Sequence, residues 1–214
     1  MAVRVLRWLV FVSLFLWIGR SVNLARFWVY GGIWLATAIY LSLAVDPTLF
    51  KERLKPGGPT IDRGALRAIR VLALAQVAIA ICDIGRFHWS DTVPASIRGP
   101  AMFVFAASMA LTARAMASNR FFSVAVRVQA DRGHQVVSEG PYRLIRHPGY
   151  LAMSVAAPAS ALALGSWWAL VPALVYSALI VRRARAEDRY LRDHLDGYVD
   201  YADRVRFRLI PGVW

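Results

Sequence analysis

The residues best placed to do chemistry lie in two short runs of the 214-residue chain. The first is Arg146-His147-Pro148-Gly149-Tyr150. Pro148 suits the first turn of a helix, where its missing N–H removes nothing that a helix needs. A helix starting there presents unpaired N–H groups and a partial positive charge, a natural seat for a carboxylate. His147 and Tyr150 would flank such a ligand, although taken alone the same run reads equally well as interfacial anchors. The second run is Arg182-Arg183-Ala184-Arg185-Ala186-Glu187-Asp188. Arg183 and Glu187 are four residues apart and share a helix face, which by itself is an exposed pair worth a few tenths of a kcal/mol. If the segment returns beside His147, the acidic group can hold an ammonium and the arginine can orient an anion. Nothing else reactive is apparent. There is no Ser/His/Asp set, no His-Glu-x-x-His helix and no strand–Gly-x-Gly–helix unit. The lone Cys82 excludes an intrachain disulfide and a cysteine metal cage, and reads as an inert core residue.

The elements that must position these runs are apolar. Hydrophobic residues make up 58% of the chain and gather in blocks separated by charge. Six segments stand out: Val5–Ile18, Phe27–Val45, Ala68–Ile84, Ile97–Ala117, Tyr150–Leu164 and Trp167–Val181. A bilayer core of about 30 Å needs roughly 20 apolar helical residues, and Phe27 to Val45 runs without a charge. The expected fold is an all-α, polytopic integral membrane protein of about six transmembrane helices. Its last two spans are joined by Gly165-Ser166 as a C-terminal helical hairpin. Val5–Ile18 is read as a retained span, because Gly19-Arg20-Ser21-Val22-Asn23 is no signal-peptide cleavage site.

The net charge of +13 bears on topology. The arginines flank apolar spans and form no single stripe, so no nucleic-acid partner is expected and membrane lipids are. With both termini cytoplasmic, all but four of the 26 lysines and arginines (Arg20, Arg26, Arg86 and Arg98) fall on the cytoplasmic side. Of the two long cytoplasmic stretches, Asp46 to Arg67 reads as an irregular loop around Lys55-Pro56-Gly57-Gly58-Pro59. Asn119 to Pro148 mixes aromatic, basic and turn residues and leads into the first run. Residues 1–118 are therefore read as N-terminal membrane helices and 119–214 as the catalytic region, with a cytoplasmic cofactor site. Arg70 and Asp83 are expected to snorkel from span ends, and Gln76 to hydrogen-bond a neighbouring helix.

Taken together, the pattern resembles a family. Gly140-Pro141-Tyr142 with Arg146-His147-Pro148-x-Tyr150, a hairpin, Arg183-x-x-x-Glu187-Asp188-x-x-Leu191, Tyr198-Val199-Asp200-Tyr201 and Leu209-Ile210-Pro211 are similar to the isoprenylcysteine carboxyl methyltransferase family. That family is related to the membrane phospholipid methyltransferases, and the resemblance covers about His134 to Trp214. It implies S-adenosyl-L-methionine as cofactor and a lipid-like or prenylated methyl acceptor. It assigns the adenosine part to His134, Gln135, Val136 and Val137. The rest of the cofactor pocket falls to Tyr142, His147, Pro148, Gly149 and Tyr150, and Glu187 becomes the acidic cofactor ligand. Arg183 matches the catalytic arginine beside the acceptor. The chain differs in having Asp188 for a more usual second Glu, Ala152 for a common Gly and Leu195 for a usual Gly. The sparse reactive inventory suits such chemistry. Methyl transfer from a sulfonium is an in-line displacement, and a carboxylate acceptor with a pKa of about 3.5 is already ionised and needs no base.

Other acceptors, a phospholipid amine or a small thiol, stay open. An NADPH-dependent membrane sterol or enone reductase shares Arg-His-Pro-x-Tyr, but usually has Asn where Gly149 stands and Gly-Glu where Ala152-Met153 stand. A non-catalytic scaffold is the third reading.

Overall fold

The computed structural model describes residues 25–58, 60 and 62–214, and the expected span Val5–Ile18 lies outside them. The described residues form seven α-helices: α1 (Ala25–Ala44), α2 (Pro47–Leu54), α3 (Arg63–Cys82), α4 (Ala95–Ser118), α5 (Pro148–Leu164), α6 (Trp167–His194) and α7 (Tyr198–Arg204). α3 runs on through a π-helical turn, Asp83–Phe87. No strand occurs among the described residues, so the chain is all-α as expected.

Three helices are long and apolar enough to cross a membrane: Ala25–Ala44, Arg63–Phe87 and Ala95–Ser118. They carry large exposed apolar side chains such as Trp28, Leu35, Leu43, Val71, Leu74 and Phe103. An apolar surface of this extent belongs in lipid, not in water. α5 is shorter, and α6 is apolar from Trp167 to Val181 before it turns charged. At 28 residues α6 is about 42 Å long, so it outruns the roughly 30 Å hydrocarbon layer.

Small residues let these helices approach closely. Ala157, Ala159 and Ala161 of α5 meet Ala169 and Ala173 of α6, with Phe105 of α4 and Tyr30 of α1 filling the remaining core. The Tyr30 and Phe105 rings stack with centroids 4.6 Å apart. Gly165 ends α5 at φ +93°, a left-handed conformation suited to glycine, and its N–H bonds back to the Ala161 and Leu162 carbonyls. Ser166 then caps α6 by accepting from the Ala169 N–H. As expected, the Gln76 side-chain amide reaches another helix, donating to the Ala157 carbonyl and the Ser160 hydroxyl.

Three expectations are corrected. Asp83 does not snorkel. It is 1% exposed and accepts from the Ser90 N–H, the Ser90 hydroxyl and the Ser166 hydroxyl, tying the end of α3 to the α5–α6 turn. Cys82 is exposed on the outer face of α3 and is not a core residue. Residues 46–67 are not an irregular loop throughout, because Pro47–Leu54 is helical. Asp46 caps it by accepting from the Thr48 N–H at 2.7 Å, and Pro47 opens its first turn.

Candidate active site

Beyond its apolar stretch, α6 carries Arg183 and, one turn later, the adjacent Glu187 and Asp188. Arg183, 5% exposed, lies 3.2 Å from Asp62 through its Nε and donates from Nη2 to the Val124 carbonyl. Glu187 accepts from the Tyr150 hydroxyl. Arg183 and Glu187 share a face but are not bonded to one another.

Asp188 is fully buried and is the hub of the site. Its Oδ1 accepts from Arg146 Nε at 2.7 Å and from the Tyr198 hydroxyl at 3.0 Å, and its Oδ2 accepts from Arg208 Nε at 2.8 Å. His147 Nε2 stands 3.3 Å from Oδ1. Burial alone would raise this carboxyl, but the hydrogen bonds from His147, Arg146 and Arg208 prevail and hold it well below the usual carboxylate range. Arg146 Nη2 donates to Asp188 Oδ2 at 3.3 Å, and its Nη1 to the Val205 and Arg206 carbonyls at 2.7 and 2.9 Å. The backbone follows suit: Arg146 and His147 N–H bond to the Phe207 and Arg208 carbonyls, both at 2.9 Å. The start of α5, the end of α6 and the segment after α7 are thereby locked together.

Around this hub is a cavity of about 310 Å³, a volume in the range of small-molecule sites. His134, Gln135, Val136, Val137, Tyr142, His147, Gly149, Tyr150, Arg183 and Glu187 all line it. Pro148 is the exception among the expected residues: it is buried in the first turn of α5 and does not reach the cavity wall. His134 packs on Phe121 with ring centroids 4.4 Å apart, and its Nδ1 accepts from the Gln129 N–H at 3.2 Å. Burial, with Arg127 and Arg132 nearby, lowers its pKa to about 4, so the ring is neutral at pH 7. Gly149 is required sterically, since a Cβ there would lie 2.3 Å from Phe122 Cε2.

Residues ahead of the two motif runs also build this cavity. Leu66, Ile69 and Ala73 of α3 extend its wall along α6, opposite Tyr176 and Ile180. From α2, Glu52 binds Arg127 at 3.1 Å and also accepts from the Ser123 hydroxyl and the Gly57 N–H. Arg53 donates to the Phe122 carbonyl at 3.2 Å and stacks over that ring at 5.3 Å. Sequence reasoning missed Glu52, Arg53 and Asp62, and gave Asp188 no role. A signal for the last was present, because a carboxylate and an arginine at the ends of two adjoining apolar helices must find counter-charges if buried. No group of metal-ligating side chains occurs among the described residues.

No curated protein matches the chain. Residues 100–193 match the sequence model of the Isoprenylcysteine carboxyl methyltransferase (ICMT) family, a stretch running from within α4 almost to the end of α6. It holds His134 to Tyr150, Arg183, Glu187 and Asp188, and leaves out α2, Asp62, Tyr198 and Arg208. Over these residues, somewhat under half of the chain, the sequence is similar to that family, and the three long apolar helices mark a membrane protein.

Proposed function

We propose that the chain transfers a methyl group from S-adenosylmethionine to a lipid-like acceptor, and that the receiving group is the carboxylate of an isoprenylcysteine-type substrate. The observation that carries the reading is the single cavity in which Glu187, Arg183 and the His134–Val137 segment converge. Its donor set suits the cofactor. Glu187 offers a carboxylate to an ammonium, Phe121 and Tyr142 offer aromatic surface, and His134–Val137 offers backbone to the adenosine. When bound, the sulfonium supplies an electrophilic methyl group.

The chain's own part is to bind, align and exclude water. The Tyr150 hydroxyl fixes the orientation of Glu187. Arg183 supplies a buried positive charge for the acceptor's anion. Leu66, Ile69, Ala73, Met153 and Ile180 continue the cavity as an apolar strip beside the spanning helices, suited to a prenyl chain. No general base is needed, because the acceptor is ionised before it arrives. Residues 119–214 form the catalytic region in this reading. Residues 1–118 are the membrane scaffold, with α2 and α3 completing the cavity wall. Both termini are cytoplasmic, on the side where the arginines gather.

The test is calorimetric titration of the detergent-solubilised chain with S-adenosylhomocysteine, with NADPH in parallel. Saturable binding of the former is expected, weakened about 10- to 100-fold in Glu187→Gln, the worth of a charged hydrogen bond. Unchanged affinity in folded Glu187→Gln refutes the assignment of that residue, and binding of NADPH alone refutes the function.

A further inference from the structure

Asp62 stands immediately before α3, outside the stretch that matches the family. Its Oδ2 lies 3.2 Å from Arg183 Nε, with the two side chains 15% and 5% exposed. Neither Asp62 Oδ2 nor Arg183 Nε, however, makes a hydrogen bond with acceptable angles. The pair is held by charge without aim. The neighbouring pair, Glu52 with Arg127, is made differently: two guanidinium N–H groups point at the two carboxylate oxygens at 3.2 and 3.1 Å, and Ser123 and Gly57 satisfy the remaining lone pairs. Of the two carboxylates that pair with cavity-lining arginines here, one is fully bonded and one is loosely engaged.

We propose that Asp62 is an exchangeable counter-ion: it balances Arg183 while the acceptor is absent and yields it to the acceptor's anionic group. The proposal rests on the reading that Arg183 receives a carboxylate. A guanidinium this buried requires a counter-charge at all times, since an uncompensated one is strongly destabilising. Its Nε is a buried donor on the cavity wall without an acceptor in line, so an entering carboxylate can make the directed bond that Asp62 does not. Both carboxylates cannot crowd one guanidinium with Glu187 a turn away without like-charge repulsion. Asp62 also has somewhere to remain on release. Its Oδ1 accepts from the Thr60 hydroxyl, and that oxygen in turn accepts from the Val126 N–H at 3.2 Å. The exchange lowers the apparent affinity of an anionic ligand by the fraction of time that Arg183 is free, whereas a neutral ligand cannot replace the charge and leaves Asp62 in place.

The experiment is direct titration of the full detergent-solubilised chain, without methyl donor, using S-prenylated N-acetylcysteine and its carboxamide. Asp62→Asn removes the competing charge, so the carboxylate binds about tenfold tighter while the carboxamide is unchanged. Asp62→Glu adds a methylene, lets the carboxylate aim at Nε, and weakens the acceptor carboxylate roughly threefold. The opposite pattern, weaker binding in Asp62→Asn and near-normal binding in Asp62→Glu, shows a permanent positioning partner and overturns the proposal. No change in either variant also overturns it. Arg183→Gln separates the two levels: if it binds the carboxylate as tightly as the wild type, the acceptor-site reading itself fails whatever Asp62 does.

Discussion

Asp188→Asn removes one charge at the point where three chain segments meet, and the structure fixes what should follow. The Arg146 side chain is 3% exposed and Asp188 is 1% exposed. Without the carboxylate charge, Arg146 keeps the Val205 and Arg206 carbonyls but becomes an uncompensated buried cation, which costs about 3–5 kcal/mol. Arg192 and Arg208, each 34% exposed, recover hydration and add little. For a chain of this length 1 kcal/mol corresponds to about 2–4 °C, so the unfolding midpoint in detergent should fall by about 6 to 20 °C. The double variant Asp188→Asn with Arg146→Met should recover most of that loss, because the stranded charge is gone. The pH dependence has a definite sign. A carboxyl depressed in the folded state stabilises above its unfolded pKa of about 4, and the contribution fades only as pH falls below that. The gap between wild type and Asp188→Asn should therefore be constant from pH 5 to 8 and narrow under more acid conditions. A single variant within about 1 kcal/mol of wild type, or a double variant no better than the single, would refute the account of Asp188 as the hub.

Two further outcomes are expected. Gly149→Ala should destabilise by about 1–3 kcal/mol, since the Phe122 ring sits where the methyl must go and Arg53 holds that residue in place. Adding Phe122→Leu should restore most of this in thermal unfolding, and a Gly149→Ala protein as stable as wild type would contradict the packing described. His134 titrates near 4 when folded against about 6.5 when unfolded, so the unfolded chain binds the proton first on acidification. Its contribution should be whole above pH 6.5 and drop steadily toward pH 4. A His134→Gln variant whose stability runs parallel to wild type across that window would count against it.

The sequence made the helices legible where hydropathy changes abruptly. α1, α4 and α5 begin and end within two residues of the apolar blocks that mark them. Hydropathy marks α6 only to Val181, but the shared face of Arg183 and Glu187 carries the helix on to Asp188, and good helix formers extend it to His194. The Asp46-Pro47 start of α2 is a readable cap, but the helix is only eight residues long and the Pro and Gly residues after Leu54 carry the stronger turn signal. Cys82 shows a general ambiguity: an apolar block does not say which side chains meet protein and which meet lipid. Within the site, the two motif runs named nearly every cavity residue they contain. Helix periodicity alone does not say which of Glu187 and Asp188 faces the cavity, since adjacent positions point about 100° apart; the family resemblance chose Glu187, which lines it. Asp62 and Glu52 lie far from the motifs in sequence and had no local signal.

The order in which the latch around Arg146 is made has a consequence for biogenesis. Arg146 and His147 pair with carbonyls at Val205, Arg206, Phe207 and Arg208, which follow them by some sixty positions. At about 5–20 residues per second, a ribosome needs roughly 3 to 12 seconds to deliver those partners. During that interval α5 and α6 are themselves synthesised and can enter the membrane, with the arginine still waiting. Insertion and ligand competence are thus separate events in the life of one molecule. A chain ending before residue 205 lacks these carbonyls and should integrate normally, yet leave its site open.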